Sequence, residues 1–133
     1  MPISKKDLTS FSSIQSVPVN LVGSWVNELG SVMVIGQVQN SMFNGRYRSA
    51  VGANHGPVDG ALTGTIAGDS IGFTVNWQPT FASVTAWTGK VLADPNGAPY
   101  IYTLWQLAQG IDDPQDLWQS ILAGSDIFEK TAP

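Results

Sequence analysis

The sequence predicts an all-β fold of eight antiparallel strands that form either a barrel or a sandwich. From residue 22 onward, short stretches of alternating apolar and polar residues are separated by clusters of Gly, Pro, Asn and Asp. Only 12% of the 133 residues are charged, and 43% are hydrophobic. Most strand faces must therefore be buried in a core, a cavity or a subunit contact.

The first four strands are broken by turn-forming residues. Gly30, residues 39–41 and residues 52–56 supply the turns. Asn44-Gly45 has the local chemistry of a hairpin turn, but the alternation continues through it. We therefore place Gly45 inside the third strand, where a missing side chain permits close packing. The four strands are expected at residues 22–29, 31–38, 42–51 and 58–67.

The last four strands are bounded in the same way, by turns at residues 68–69, 78–80 and 94–97. Before the eighth strand, an Asp cap and a Pro at the first helical position predict a short helical turn over residues 112–118. This turn would present Trp118 at its end. The four strands are expected at residues 71–78, 82–92, 99–109 and 119–130.

The chain divides into an N-terminal extension, residues 1–20, and one domain, residues 21–133. The extension is rich in Ser and Thr, and we expect a mobile tail. Leu8, Phe11 and Ile14 lie three apart, which would permit one weak amphipathic turn. No apolar stretch that would indicate a signal peptide is visible in it.

Polar residues interrupt the apolar faces of several strands. Residues two apart in a strand share a face, so Asp126 shares its face with Leu122, Gly124 and Phe128. A carboxylate is unfavourable there unless it has hydrogen-bond partners. Other polar residues share a phase with aromatic ones: Asn27 with Trp25, Ser49 with Tyr47, and Ser83 and Thr85 with Trp87. A closed sheet would gather them into a Trp-lined cavity suited to a small ligand with a polar head.

Composition disfavours several other classes of function. The chain has no Cys, which excludes disulfides and thiolate chemistry, and its net charge of −4 with scattered basic residues disfavours nucleic-acid binding. No apolar run is long enough to cross a membrane as a helix. His55, the one histidine, lies in a Gly-flanked loop and is either a lid residue or an exposed loop residue. A hydrolase using Ser, His55 and Asp126 would lack a nucleophile motif, so we expect no catalytic residues, no metal and no cofactor.

Six blocks in sequence order carry a family resemblance. They are residues 23–31, 47–52, Trp77, 85–89, 103–107 and 118–128. Together they resemble the avidin and streptavidin family of biotin-binding proteins, from about residue 22 to residue 130. The resemblance implies an eight-stranded antiparallel up-and-down β-barrel with a short helical turn before the last strand. It also implies non-catalytic, high-affinity binding of biotin in a preorganised pocket, with sequestration of biotin as the role.

The resemblance implies which residues hold the ureido ring of biotin. The ureido oxygen would accept hydrogen bonds from Asn27, Ser31 and Tyr47. The two ureido N–H groups would donate to Ser49 and Asp126. Three donors around the oxygen would polarise the ring, so the bond to the Asp126 carboxylate would be charge-assisted.

The resemblance also assigns the rest of the pocket. Thr85 would lie near the thioether sulfur. Ser83 and the loop with Val51 and Ala53 would meet the valeryl carboxylate, in part through backbone atoms. A neighbouring subunit would contribute its Trp118 to the site. The walls would be Leu29, Trp77, Trp87, Trp105 and Leu107.

Partners and alternatives follow from the same comparison. A shared Trp118 implies a homotetramer, with a dimer as the alternative, and the family implies a secreted or periplasmic protein. No nucleic acid or membrane partner is expected. The alternative function is a carrier of the same fold with weakened or altered small-ligand specificity. A lipid carrier is disfavoured, because it would not need so many polar groups converging on one end.

Overall fold

The structure of the chain is a computed structural model that describes residues 19–50, 57–110, 113–115 and 120–131. Each strand pairs antiparallel with the next, and the last pairs with the first, so the sheet closes into a barrel. The barrel confirms the fold expected from the family resemblance and excludes the sandwich. The strands are β1 (Gly23–Asn27), β2 (Val32–Gln39), β3 (Met42–Ser49), β4 (Val58–Ala67), β5 (Ser70–Asn76), β6 (Ser83–Ala93), β7 (Pro99–Gln109) and β8 (Ile121–Lys130).

The short helical turn predicted before β8 is not supported. Within the predicted stretch the structure describes residues 113–115, of which only Pro114 and Gln115 have a 3₁₀ conformation. Asp113 Oδ1 instead accepts a hydrogen bond from the Gln115 amide at 3.0 Å, which closes a local turn around the Pro. None of the helices in the described ranges is long and apolar enough to cross a membrane.

Two strands end earlier than predicted because a side chain closes a turn. Asn27 Oδ1 accepts hydrogen bonds from the amides of Leu29 at 3.0 Å and Ser31 at 2.9 Å, so β1 ends at Asn27 rather than at residue 29. Asn76 Oδ1 accepts from the Gln78 amide at 2.9 Å, and β5 ends at Asn76. Such turns compete with strand pairing for the backbone donors. The predicted end of the third strand, residue 51, lies outside the described residues, as do residues 1–18 of the predicted tail and His55.

Large apolar side chains fill one part of the barrel. Trp25, Met33, Ile101 and Phe128 are fully buried. Trp25 Nε1 donates to the Leu21 carbonyl oxygen at 2.9 Å, so the indole N–H is satisfied inside the core. Trp25 does not line the large cavity described below and belongs to the packed core.

Gly45 lies inside β3, as predicted. A Cβ built there would lie 1.9 Å from the carbonyl oxygen of Val34 on β2, a distance at which no side chain fits. The register between β2 and β3 shifts between Ile35 and Val38, just beyond this contact. The hairpin turn lies instead at Asn40 and Ser41, both of which have positive φ.

Candidate functional site

A cavity of about 670 Å³ lies at one end of the barrel. Every predicted site residue that the structure describes lines it: Asn27, Leu29, Ser31, Tyr47, Ser49, Trp77, Ser83, Thr85, Trp87, Trp105, Leu107 and Asp126. Val51, Ala53 and Trp118 lie outside the described residues. Period-2 alternation around a closed barrel brings residues from distant parts of the chain to this one end.

Strand register places the wall residues side by side. Thr85 pairs with Leu107, and Trp87 pairs with Trp105, so two rows of inward side chains cross from β6 to β7. On β8, Gly124 pairs with Trp105. A Cβ at Gly124 would lie 2.5 Å from the Trp105 indole, so this glycine makes room for the ring. The in-strand glycine is therefore a functional part of the wall.

The amide of Asn27 is oriented by the turn that ends β1. Its oxygen accepts from two backbone amides, those of Leu29 and Ser31, and its Nδ2 lies 3.4 Å from the Tyr47 hydroxyl oxygen. Only the NH₂ group can therefore face the cavity, since the oxygen is engaged by the backbone. Toward the cavity Asn27 can therefore act only as a hydrogen-bond donor, and here it donates to the Tyr47 hydroxyl.

Two hydroxyls join Asn27 at the closed end of the cavity. Ser31 Oγ accepts from the Ala50 amide at 3.1 Å, which leaves its own hydrogen to donate. The Ser31 hydroxyl also hydrogen-bonds with Tyr47. Burial, and then the charge of Asp126, raise the pKa of the Tyr47 phenol, so it keeps its proton at neutral pH. Three donors therefore converge on one spot.

Asp126 supplies the acceptor of the site. The residue is only 7% exposed, and its carboxylate accepts a hydrogen bond from Trp87 Nε1 at 3.0 Å. Burial raises the pKa of Asp126 to about 6. The hydrogen bonds from Trp87 and Asn27 lower that pKa, whereas a hydrogen bond with Glu28 and the charge of Glu28 raise it. At neutral pH the group is therefore mostly an anion.

Aromatic rings form the sides of the cavity. Tyr47 stacks on Trp87 with ring centroids 4.9 Å apart and meets Trp77 edge-on at 5.7 Å. Trp77 Nε1 donates to Thr85 Oγ1 at 2.9 Å. The Thr85 hydroxyl is thus an acceptor toward Trp77, and its hydrogen can point into the cavity. These contacts hold the rings in place before any ligand arrives.

Some details of the site differ from the sequence analysis. Leu29, predicted as a wall, does line the cavity, but it lies on the turn after β1 and is 62% exposed. Phe81 also lines the cavity, but it lies in the β5–β6 loop, where strand alternation gives no signal. Leu122 lines the cavity too, and its alternation in phase with Asp126 could have identified it as a site residue. Glu28 was overlooked because it follows β1 on the outward phase, yet it reaches Asp126.

The donor set does not suit a metal ion. Among the residues that the structure describes, no group of three or more His, Cys, Asp or Glu side chains could hold one. The cavity instead combines side-chain donors, one anionic acceptor and aromatic walls. A flat, polar ring with one acceptor and adjacent donors is the complement of this arrangement.

Comparisons with known proteins agree with this geometry. The family model described as the avidin family matches residues 15–131. The chain is 35% identical over 119 residues to avidin of Gallus gallus, covering 84% of this chain and 78% of that protein. It is 33% identical over 133 residues to afifavidin of Afifella pfennigii, covering 96% and 80%.

Solved structures show the same likeness. The crystal structure of xenavidin superposes with a TM-score of 0.77 at 31% identity, covering 84% of this chain and 98% of that one. A biotin complex of a shwanavidin variant superposes with a TM-score of 0.68 at 30% identity, covering 86% of this chain and 100% of that one.

Proposed function

The chain belongs to the avidin family, and from this premise we propose that it is a non-catalytic, high-affinity biotin-binding protein. One observation carries the proposal: the donor groups of Asn27, Ser31 and Tyr47 line the same cavity as the buried acceptor Asp126. A cyclic urea has one acceptor oxygen flanked by two N–H donors, which matches this set. The affinity follows from groups that are already in place and lose little freedom on binding.

The ureido ring would lie between the two sets of polar groups. Its oxygen accepts from Asn27, Ser31 and Tyr47, which draws electron density from the two nitrogens. The N–H groups then donate to Ser49 and Asp126, and the bond to the carboxylate is charge-assisted. Hydrogen bonds of this kind strengthen one another in a water-excluded site.

The rest of the ligand would follow the cavity toward its mouth. The thioether ring lies against the tryptophan walls near Thr85, and the valeryl carboxylate meets Ser83 and the loop that carries Val51 and Ala53. Aromatic burial contributes roughly 25 cal/mol per Å² of apolar area. Trp118 of a neighbouring subunit would close the mouth.

A carrier of the same fold with weakened or altered ligand preference is the second candidate. The observation that favours it is Glu28, whose carboxyl contacts Asp126 and raises its pKa. A partly protonated Asp126 is a weaker acceptor for a urea N–H. Comparison of biotin with ring-modified analogues separates the two candidates.

The chain is further proposed to form a homotetramer, with a dimer as the alternative. Val84, Ala108 and Ile121 are register partners on the outer faces of β6, β7 and β8. Val84 is 42% exposed and Ile121 57% exposed. An apolar row of this kind fits burial against another subunit. A secreted or periplasmic location and a role in sequestering biotin complete the proposal, with no nucleic-acid or membrane partner.

Titration with biotin, followed by tryptophan fluorescence, tests the proposal. The pocket walls include Trp77, Trp87 and Trp105, so a bound ligand should change their emission. We expect a sharp endpoint at one biotin per chain. Octanoate, which has an acyl tail but no ureido ring, is the control and should give no endpoint. A flat biotin titration would contradict the proposal, and a response to octanoate would indicate a lipid carrier.

A further inference from the structure

The barrel wall has a seam beside the ligand cavity. β1 pairs with β8 only over three positions, from Trp25 opposite Lys130 to Asn27 opposite Phe128. β1 then ends in the Asn27 turn, whereas β8 continues along β7 as far as Ile121. Beyond Phe128, β8 therefore has no β1 partner on that side.

A second cavity of about 470 Å³ lies at this seam. Its lining includes Glu28, Tyr102, Asp126 and Glu129. Asp126 is the notable member, because it also lines the large cavity inside the barrel. Asp126 therefore lines both the cavity inside the barrel and the cavity at the outer seam.

Glu28 bridges the seam. Its Oε2 accepts a hydrogen bond from the Ile127 amide at 2.9 Å, in place of the ladder bond that β1 no longer supplies. This contact holds the Glu28 carboxyl beside Asp126, and both residues line the seam cavity. Two carboxyl groups can share a hydrogen bond only if one of them carries a proton.

We propose that Glu28 is a positioning residue that shares a proton with Asp126 across the seam, and that this pair makes capture of a urea-type ligand dependent on pH. The inference rests on the proposed function, because it concerns the same acceptor. When Asp126 is protonated, its O–H donates to Glu28 and its charge is lost to the ligand. When Asp126 is ionised, it can accept the ligand N–H.

The surroundings of Asp126 agree with a shared proton. Burial is the largest cause that raises its pKa to about 6, and Glu28 raises it further, whereas Trp87 and Asn27 oppose the shift. The other titratable groups near it are Tyr47 of β3, Tyr102 of β7 and Glu129 of β8. Neither cavity has a Lys or Arg among the described residues that line it. No cation there favours the ionised form.

Ligand binding and protonation of Asp126 compete, so the affinity for the ligand depends on pH. The ligand binds the ionised form, so below about pH 6 binding must release a proton. Affinity then falls by up to about tenfold for each pH unit, and it is level at higher pH. Glu28→Gln keeps the shape and the acceptor for Ile127, removes the charge and can donate to Asp126. The ligand affinity of Glu28→Gln should therefore begin to fall only at a lower pH than that of the wild type.

The experiment measures affinity for biotin amide, whose tail carries no titratable carboxylate, in wild type, Glu28→Gln and Glu129→Gln. Glu129 lines the same cavity but is not among the groups that shift the pKa of Asp126. From about pH 8 to about pH 5, we expect a loss of roughly tenfold in wild type and Glu129→Gln, and of less than about threefold in Glu28→Gln. Superimposed profiles for wild type and Glu28→Gln would overturn the proposal.

A second arm needs no ligand. The carboxyl ¹³C shift of Asp126 is titrated in the ligand-free protein. A midpoint near 6 in wild type that moves down in Glu28→Gln, but not in Glu129→Gln, supports the pair. A midpoint in the ordinary range of an aspartate overturns it. If biotin fails to bind at every pH while the titration gives the shifted midpoint, the proposed function fails and the carboxyl pair stands.

Discussion

At the residue scale, Asp126 shows how neighbours decide what a carboxyl group can do. It is buried, accepts a hydrogen bond from the Trp87 indole at 3.0 Å, and lines the same cavity as Asn27, Ser31 and Tyr47. Burial disfavours its charge, whereas hydrogen bonds from Trp87 and Asn27 favour it. Its pKa of about 6 is the balance of these opposing effects. A small change in any neighbour should therefore change binding.

Asp126→Asn tests the charge-assisted bond. The amide keeps the shape of the side chain but loses the charge, so the ligand N–H meets a weaker acceptor. We expect the biotin dissociation rate at neutral pH to rise by more than about thirtyfold, or about 2 kcal/mol, beyond the roughly 0.5–1.5 kcal/mol of a neutral hydrogen bond. Thr74→Val, an outward change on β5, serves as the control, because Thr74 lies exposed. An unchanged dissociation rate would refute the charge-assisted account.

The same residue predicts how the stability of the ligand-free protein depends on pH. The folded-state pKa of Asp126, about 6, lies above its usual value of 3.8. Its favourable contribution is therefore fully present below about pH 3.8 and is lost as pH rises through about 6. Asp126→Asn should raise the melting temperature at about pH 8 more than at about pH 4. Calorimetry on both proteins measures it, and an equal shift at the two pH values would contradict the assignment.

At the element scale, strands shape the pocket as much through absent side chains as through present ones. Gly45 lets β2 and β3 approach closely, and Gly124 leaves the space that the Trp105 ring fills. Gly60 likewise leaves space for neighbouring side chains, since a Cβ there would lie 2.4 Å from Val75 and 3.1 Å from Trp77. Two tryptophan walls therefore depend on glycines in neighbouring strands.

Gly124→Ala should damage the Trp105 wall. The new Cβ would lie 2.5 Å from the indole, so either the ring or the strand must shift. We expect a loss of about 1–3 kcal/mol in unfolding free energy from overpacking, together with faster release of biotin. Gly72→Ala on β5 is the matched control, because its Cβ would meet its nearest neighbours at 3.7 Å. Equal effects of the two substitutions in chemical denaturation would contradict this explanation.

At the scale of the whole molecule, closing the sheet removes the strand edges and forms a ligand cavity at one end. The outer surface then carries the apolar residues that alternation excludes from the interior, among them Val34, Val84 and Ile121. Val84 and Ile121 belong to one row across three strands, whereas Val34 lies on β2. Their arrangement bears on how copies of the chain assemble.

Ile121→Lys should weaken assembly if the row is buried between subunits. Desolvating the new ammonium group would be unfavourable. Native mass spectrometry should show a tetramer for the wild type and a smaller species for Ile121→Lys. Val34→Lys, exposed to a similar degree at 43%, is the control and should keep the wild-type assembly. A monomeric wild type would contradict the proposed tetramer, and an effect of Val34→Lys would place the interface elsewhere.

Much of the fold was predictable because alternation and turn residues are local properties of the chain. The predicted limits of β4 and β7, residues 58–67 and 99–109, agree with the structure. The predicted strand limits were wrong where a side chain closes a turn. Asn27, for example, ends β1 early because its side-chain oxygen accepts hydrogen bonds from two backbone amides. The helical turn predicted before β8 is not supported, because in its described part an Asp and a Pro close a single local turn.

By itself, the amino-acid sequence determined which residues share a face, and so which polar groups could meet at one end of a closed sheet. The tertiary structure alone decided that Glu28 lies beside Asp126. Glu28 and Ile127, which it contacts, are 99 positions apart, and they meet only because the last strand closes the barrel against the first. The physical reason is that alternation reports orientation within a strand, whereas proximity across the seam depends on where β1 ends and how the barrel closes.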